Sequence, residues 1–286
     1  MEMITEDLTL ERAGYYWREK SGVRALICAP LENDGFTNGF STRFGGVSPM
    51  PDHALNLAGF HEDAAENILE NRRRFLKLLE GSWTLAGCWQ VHGTDVRVVN
   101  DVSDAKPAEN SLGETVYCDA IVSNAPDVLA AVKTADCVPI LIGDPITNSF
   151  AAVHAGWRGT FAGVALYALE RLTKEYSSQP QDLRVALGPS AAACCYEVGP
   201  EIVDGFRERF VYADSLFTPT QDGQARIDLL LANRKQLTDA GIREDKIHIA
   251  PLCTMCRNDL FFSYRKEKKL HGKVGRSMSV IGRGSD

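Results

Sequence analysis

The chain has 286 residues, of which 44% are hydrophobic and 24% charged, so it can build a sizeable globular core. Its 31 basic and 38 acidic side chains give a net charge of −7, which argues against nucleic acid or an anionic membrane as the main partner. The acidic N-terminus lacks the apolar core of a signal peptide, and no apolar run is long enough to span a bilayer. Eight cysteines in such a chain indicate reduced thiols rather than disulfides, and we expect a cytoplasmic protein.

The first part of the chain combines strand, turn and helix patterns. Residues 7–29 alternate loosely between apolar and polar and predict early strands, and residues 33–51 are rich in turn-forming glycine and proline. Residues 63–80 repeat apolar side chains at helical spacing, with Asp63 suited to the start and Gly81 to the stop. This segment is therefore predicted to be a helix.

The middle and end of the chain mix short strands with helices. Apolar runs of strand length occupy residues 128–133, 138–142 and 150–154. Helical patterns occupy residues 160–172, 200–209 and 228–240. From residue 261 onward the pattern predicts two strands around a basic loop, 266–273. The absence of a regular β-α-β alternation favours a single α/β domain over residues 1–286, built on mixed sheets rather than a doubly wound parallel sheet.

Three residues that could bind a metal stand where predicted strands meet turns. His92 lies in the sequence QVHG, Cys137 follows the sequence TAD and opens a strand, and His154 ends a strand just before AGWRG. Two imidazoles and one thiolate form a three-ligand set for zinc that leaves a fourth position for water or substrate. Their spacing matches no general zinc pattern, and a lone histidine or buried cysteine is more often structural. The residues alone therefore leave the metal site open.

The remaining cysteines and arginines allow further interpretations. Cys253 and Cys256 form the single CxxC sequence, and the adjacent Cys194 and Cys195 could complete a structural zinc site, although buried free thiols are the favoured interpretation. Arg158 lies in a glycine-flanked turn that enters a helix, which suits an anion but equally suits an ordinary packed turn. An arginine at position 43 precedes a second glycine turn and gives a weaker signal of the same kind.

Taken together, these segments resemble one protein family over residues 36–281. The matching sequences are FSTR (40–43), GGVS (45–48), LNL (55–57), NR (71–72), QVHG (90–93), DA (119–120), TADCVP (134–139), DP (144–145), HAGWRG (154–159), GP (188–189), CCYEVG (194–199), CT (253–254), FSYR (262–265) and GR (275–276). They identify the chain as similar to the YfiH-like family, whose members are also labelled polyphenol oxidase, laccase-domain protein or peptidoglycan editing factor.

The resemblance implies a four-layer α/β/β/α fold and a zinc site made by His92, Cys137 and His154. It further implies phosphorolysis of purine nucleosides (adenosine, inosine, guanosine and methylthioadenosine) together with deamination of adenosine. Asp136, beside the ligand cysteine, is a candidate to orient a ligand or carry protons. The candidate substrate-binding residues, within the matching segments, are Arg43, Asn71, Gln90 and Arg158.

Two other classes of enzyme compete with this interpretation. A copper-dependent phenol oxidase needs several copper ions and many histidines, and six dispersed histidines cannot supply such a cluster, although copper could enter a His/Cys site adventitiously. A metal-free hydrolase of peptidoglycan precursors could use Cys137 as nucleophile and His154 as base. Under the nucleoside phosphorylase interpretation, the expected partners are a small-molecule nucleoside and phosphate.

Overall fold

Two six-stranded sheets form the centre of the computed structural model, which describes residues 2–49, 53–60, 62–105, 116–221 and 223–285. The strands are β1 Tyr15–Lys20, β2 Val23–Cys28, β3 Thr37–Ser41, β4 Thr84–Ala86, β5 Val96–Val99, β6 Ala120–Ser123, β7 Val128–Thr134, β8 Val138–Asp144, β9 Ser149–Ala155, β10 Arg184–Leu187, β11 Glu197–Val198, β12 Phe217–Pro219, β13 Ala225–Ile227, β14 Ile247–Ile249 and β15 Ser277–Arg283. The helices are α1 Glu2–Arg12, α2 Ala29–Asn33, α3 Ala65–Leu79, α4 Trp157–Ala162, α5 Val164–Tyr176, α6 Pro200–Arg209, α7 Leu229–Asp239 and α8 Tyr264–His271, with single 3₁₀ turns at Pro180–Asp182, Ala213–Leu216 and Glu244–Lys246.

Both large sheets are mixed, as the irregular order of elements predicted. The first has the order β1-β2-β3-β15-β7-β4 and the second β14-β10-β8-β9-β6-β5. Each is antiparallel in its interior, with a parallel pair at an edge: β4 with β7 in the first sheet, and both β14 with β10 and β5 with β6 in the second. A small third sheet has the order β11-β13-β12.

The two large sheets pack face to face, and a helix covers the outer face of each. Fully or almost fully buried apolar side chains fill the space between the sheets, among them Leu26, Phe40, Val132 and Ile281 from the first sheet and Ile121, Leu141, Phe150 and Ala152 from the second. Helix α3 packs on β1, β2 and β3, while α5 packs on β6 and β9. The result is one α/β/β/α domain, which confirms the expected fold class.

Alternation along β9 decides which side chains reach the inter-sheet space. Successive side chains of a strand point to opposite faces. Phe150 and Ala152 belong to the core between the sheets, whereas Ala151 and Val153 pack toward α5 on the other face. His154 continues the first of these rows, so the fold directs it toward the first sheet, at the end of the strand.

Several predicted elements are confirmed with small shifts of their ends. The helix predicted over 63–80 is α3, the strands predicted over 128–133, 138–142 and 150–154 are β7, β8 and β9, and the helix predicted over 200–209 is α6. Asp228 caps α7 as expected, because its carboxylate accepts a hydrogen bond from the backbone N–H of Leu231 at 2.9 Å.

Four predicted segments need correction. Residues 7–12 belong to α1 rather than to a strand, and the turn-rich segment 33–51 contains β3, with residues 50 and 51 outside the described part of the chain. The helix predicted over 160–172 is divided into α4 and α5 at Gly163, whose φ of +89° favours glycine.

The prediction of two strands around a basic loop, 266–273, is wrong as well, since residues up to His271 form α8, residues 261–263 form no strand, and β15 is the strand that follows. Ser263 caps this helix by accepting the backbone N–H of Lys266, and the carboxylate of Glu267 accepts the backbone N–H of Ser263 at 2.8 Å. The lysines of this segment resemble a loop in the sequence because their charged ends lie in solvent. The reciprocal hydrogen bonds between Ser263 and the start of α8 are the signal that a helix begins here.

In the part of the chain that the structure describes, none of the helices has both the length and the apolar character of a membrane span.

Candidate metal centre

His92, Cys137 and His154 come together at the strand ends on one side of the second sheet, beside its two central strands. One ligand atom from each residue lies within 4.8 Å of the other two. Strands β8 and β9 are antiparallel, with Pro139 opposite His154, so the start of β8 lies beside the end of β9. Cys137 immediately precedes β8 and thereby faces the histidine. His92 reaches the same point from the turn between β4 and β5, and its Nε2 lies 3.9 Å from the sulfur of Cys137.

A buried carboxylate fixes the orientation of His154. Nδ1 of His154 lies 2.8 Å from Oδ1 of Asp119, which is fully buried. Because the carboxylate accepts, Nδ1 carries a proton, and Nε2 is the ring nitrogen that can bind a metal once its own proton is lost. Burial by itself raises the pKa of Asp119, but the hydrogen bonds from His154 and from backbone N–H groups outweigh it and lower that pKa.

The same carboxylate shapes the turn that carries His92. Its oxygens accept the backbone N–H groups of Val91, His92 and Gly93 at 3.1, 3.0 and 2.7 Å. His92 has a φ of +61°, in the left-handed region that side-chain-bearing residues rarely adopt. Asp119 therefore holds the backbone of one candidate ligand, His92, in a sparsely populated conformation while it orients the ring of another, His154.

The close approach of the ligands requires a glycine at position 156. A Cβ on Gly156 would lie 2.9 Å from the sulfur of Cys137 and 2.9 Å from Cδ2 of His92. Real Cβ atoms essentially never show such contacts. The glycine of the HAGWRG sequence is thus needed for space beside the cluster.

The electrostatic environment of the cluster changes the pKa values of Cys137 and His154. Burial raises the pKa of the Cys137 thiol, but His154 and His92 outweigh it and bring the pKa to about 6. Burial likewise lowers the pKa of His154, whereas Cys137 and Asp119 raise it to about 9. Cys137 is therefore poised as a thiolate, the form that binds metals, and coordination would displace the Nε2 proton of His154.

The cluster lies in the wall of a cavity of about 500 Å³. Four aromatic and four basic residues also line it: Trp89, Trp157, Tyr196 and Tyr264, and Lys133, Arg158, Arg265 and Arg276. All three of these arginines lie over rings, Arg158 at 4.5 Å from Trp157, Arg265 at 4.9 Å from Tyr196 and Arg276 at 5.7 Å from Tyr264. The cavity has the size of a small-molecule site and combines flat apolar surfaces with positive charge.

Two of the predicted site residues line this cavity but use their polar groups within the protein. The side-chain amide of Gln90 exchanges two hydrogen bonds with the backbone of Lys133, at 2.7 and 2.8 Å. The carboxylate of Asp136 accepts from Thr254 Oγ1 at 2.7 Å, from Ser263 Oγ at 3.1 Å and from the backbone N–H of Arg265 at 2.7 Å. Asp136 therefore joins three segments behind the cavity, and a proton-carrying role for it stays a prediction.

Arg43 and Asn71 do not reach the cavity, contrary to their expected contact with substrate. Arg43 is buried, and its guanidinium contacts Glu267 Oε1 at 2.8 Å and the carbonyl of Asn258 at 2.6 Å. Asn71 Oδ1 accepts the backbone N–H of Val47, and its Nδ2 donates to Ser48 Oγ, both at 2.9 Å. Both residues stabilise the loops between β3 and α3. Of the predicted arginines, only Arg158 lines the cavity.

Sequence reasoning missed the residues that complete the site. A histidine that binds a metal usually donates its second ring N–H to a carboxylate. This rule makes Asp119, in the matching sequence DA, a candidate partner, but no spacing rule connects Asp119 to His154. Lys133, Arg265 and Arg276 come from separate parts of the chain, and the fold alone brings them to one cavity.

These features define a two-sheet α/β protein with a His/Cys/His centre in an aromatic and basic cavity. A family model described as multi-copper polyphenol oxidoreductase laccase matches residues 37–284. Purine nucleoside phosphorylase YlmD of Geobacillus stearothermophilus is 34% identical over 90% of this chain and 94% of its own. Purine nucleoside phosphorylase YfiH of Escherichia coli is 34% identical over 84% of this chain and 91% of its own.

The same similarity is found in three dimensions. The crystal structure of YlmD from Geobacillus stearothermophilus has a TM-score of 0.84 at 32% identity, covering 94% of this chain and 99% of that one. The chain therefore belongs to the laccase-like family that includes YfiH and YlmD.

Proposed function

We propose that the protein is a zinc-dependent purine nucleoside phosphorylase. The observation that carries the proposal is the position of the His92, Cys137 and His154 cluster in the wall of a cavity with both aromatic and basic residues. The names of the relatives from Geobacillus stearothermophilus and Escherichia coli support it.

The donor set fits zinc. Two imidazole nitrogens and one thiolate are ligands that zinc takes in catalytic sites, where three protein ligands leave one position open. Asp119 leaves Nε2 of His154 available, and the low pKa of Cys137 supplies the thiolate. A zinc ion bound there would supply Lewis acidity to a substrate oxygen.

The cavity walls suit the two substrates of phosphorolysis. Phosphate replaces the purine at C1′ of the ribose: a C1′–O bond forms, the C1′–N9 bond breaks, and the base leaves with the electron pair and takes up a proton. Arg158 offers its guanidinium group to phosphate, whereas that of Arg276 is paired with Glu62 at 3.3 Å, and the half-exposed ring of Tyr264 offers a surface for the purine. Positioning both reactants and balancing the phosphate charge is the main demand of this reaction.

The finer expectations follow from the same site. We propose that adenosine, inosine, guanosine and methylthioadenosine are all phosphorolysed, because stacking on aromatic rings discriminates weakly between purines. Deamination of adenosine at the same centre stays a prediction, and release of ammonia from adenosine tests it.

A metal-free cysteine hydrolase is the second candidate, and one observation favours it. Asp119, His154 and Cys137 form a carboxylate–imidazole–thiol series of the kind that activates a nucleophile. Such a mechanism gives no role to His92, whose ring lies 4.9 Å from that of His154. The metal mechanism uses all three residues, so we prefer it.

Copper-dependent phenol oxidation fits the geometry less well, despite the description of the family model. In the part of the chain that the structure describes, the groups of side chains with metal-binding geometry contain only two histidines, His92 and His154. One mixed His/Cys site can bind a copper ion, but it cannot form a multi-copper cluster.

The test is an assay of purine release by chelator-treated protein reloaded with zinc or with copper, each with and without phosphate. We expect release that requires both zinc and phosphate and yields ribose 1-phosphate. Equal release without phosphate would replace phosphorolysis by hydrolysis, and full activity of metal-free protein would favour the cysteine hydrolase.

A further inference from the structure

A second group of possible metal ligands lies outside the His92, Cys137 and His154 cluster. Cys194 and Cys195 come from the segment between β10 and β11, and Cys253 and Cys256 from the segment between β14 and α8. Their four sulfur atoms all lie within 4.8 Å of one another. The sulfur of Cys256 is 3.5 Å from that of Cys194 and 3.3 Å from that of Cys195.

These distances fit sulfur atoms around a common centre. With zinc–sulfur bonds of about 2.3 Å, the sulfurs of a tetrahedral site are about 3.8 Å apart. A disulfide would require about 2.05 Å. The observed separations of 3.3 and 3.5 Å are close to the edge of such a tetrahedron and far longer than a sulfur–sulfur bond.

The backbone holds the two cysteine pairs together independently of any ion. Ser190 forms a β-bridge with Cys253, and the backbone N–H of Thr254 donates to the carbonyl of Ser190 at 3.0 Å. The backbone N–H of Ala192 donates to the sulfur of Cys253 at 3.5 Å. Both segments are therefore fixed where their cysteines can converge.

The CxxC turn also stabilises a thiolate. The backbone N–H groups of Met255 and Cys256, like that of Ala192, hydrogen bond to the sulfur of Cys253. Hydrogen bonds from backbone N–H groups to sulfur disperse the negative charge that four thiolates bring to one ion.

We propose that Cys194, Cys195, Cys253 and Cys256 bind one zinc ion in a closed, structural tetrathiolate site. Four thiols bind the ion and release four protons, which leaves the centre with a charge of −2. The guanidinium of Arg226 contacts the same loop, where its Nη1 donates to the carbonyl of Cys194 at 3.2 Å, and it offsets part of that charge. Four sulfur ligands leave no position for substrate, so the ion stabilises the fold.

The site has a structural consequence for the cavity. The backbone N–H of Ala191 donates to the carbonyl of Asp136 at 2.8 Å, and Thr254 Oγ1 donates to the carboxylate of Asp136 at 2.7 Å. Each of these contacts comes from a segment that also carries ligand cysteines. A zinc ion that joins the two segments thus stabilises the wall that holds Asp136 and, beyond Cys195, Tyr196. The proposal does not depend on the reaction catalysed in the cavity.

The experiment measures zinc in a protein from which the first cluster has been removed. The variant His92→Ala/Cys137→Ala isolates the cysteine site, and we expect it to retain close to one equivalent of zinc. X-ray absorption at the zinc edge should show four sulfur neighbours at about 2.3 Å. Adding Cys194→Ser or Cys256→Ser, both exposed positions, should remove the remaining zinc, whereas Cys28→Ala, a thiol outside both clusters, should not.

A second measurement on the unmodified protein applies even if those variants fail to fold. In the zinc-loaded wild type, iodoacetamide should modify the exposed Cys194 and Cys256 slowly, and chelation should accelerate the reaction at least tenfold. Rapid alkylation of both residues with zinc still bound at the first cluster, a mixed nitrogen and sulfur environment of the retained zinc, or a disulfide among the four residues in anaerobically purified protein would each overturn the proposal.

Discussion

The carboxylate of Asp119 lies 2.8 Å from Nδ1 of His154 and also accepts the backbone N–H of His92 at 3.0 Å. One buried side chain thus orients two of the three candidate ligands, which approach from a strand and from a turn. Its effect on any metal is indirect, through the ring of one histidine and the backbone of the other.

We expect Asp119→Asn to weaken zinc binding at the first cluster by about 10- to 100-fold, the usual effect of losing a hydrogen-bonding partner of a ligand. Competition with a chelator measures the affinity in the Cys194→Ser background, which removes the second proposed site. The matched control is Asp95→Asn, an exposed carboxylate close to the same turn. Unchanged affinity in folded Asp119→Asn would contradict the positioning role.

Gly156→Ala tests the space between the ligands. The added methyl group would lie 2.9 Å from both the Cys137 sulfur and the His92 ring, so at least one ligand must move. We expect a loss of zinc affinity of more than about tenfold and a parallel loss of activity. Gly205→Ala in α6 is the control, because its methyl group would meet only Phe161 Cε2, at 3.8 Å. If Gly156→Ala binds zinc as tightly as Gly205→Ala, the cluster is less crowded than its geometry indicates.

Substitutions of Arg158 and Arg43 should have different effects, the first on phosphate binding and the second on the stability of the fold. Arg158→Ala, which removes an exposed guanidinium, should raise the KM for phosphate about tenfold and change the KM for nucleoside less, because the substitution removes a charge-assisted contact to phosphate. Arg43→Ala should instead lower the free energy of unfolding by about 3 kcal/mol, because buried Glu267 loses its cationic partner and keeps only the backbone N–H of Ser263. Steady-state kinetics and urea denaturation measure the two effects. If Arg43→Ala instead raised the KM for phosphate and left the free energy of unfolding unchanged, Arg43 would be a substrate-binding residue.

The sequence predicted the three candidate ligands from their matching segments, of which those of Cys137 and His154 lie at strand ends and that of His92 lies in the turn between β4 and β5. It also predicted the helices whose apolar spacing is regular, such as α3, and the buried strands β7, β8 and β9. It failed at α8, which buries Glu267 and has no apolar repeat, and at Gly163, where a single left-handed residue divides one helical pattern into two.

Sequence patterns could not predict which distant segments of the chain are in contact. An arginine beside a glycine turn has the same local appearance whether it faces a cavity, as Arg158 does, or pairs with a buried carboxylate, as Arg43 does. The CxxC sequence at Cys253 likewise gave no indication of which cysteines lie beside it. The pairing of the loops, through the bridge between Ser190 and Cys253, supplies that information.

Alkylation of Cys137 distinguishes a metal ligand from a nucleophile. A zinc-bound thiolate is shielded, so iodoacetamide should label Cys137 slowly in zinc-loaded protein and much faster after chelation. Peptide mass spectrometry follows this residue among the eight cysteines. A nucleophile in the resting enzyme would instead react quickly with zinc present.

The most direct test measures zinc content and phosphate-dependent purine release on the same samples of wild type, His92→Ala, Cys137→Ala and His154→Ala. We expect each folded variant to lose one equivalent of zinc relative to wild type and to lose purine release with it. A folded variant that retains the full zinc content would remove that residue from the ligand set. Undiminished phosphate-dependent release in a variant that has lost this zinc would contradict the zinc-dependent phosphorylase.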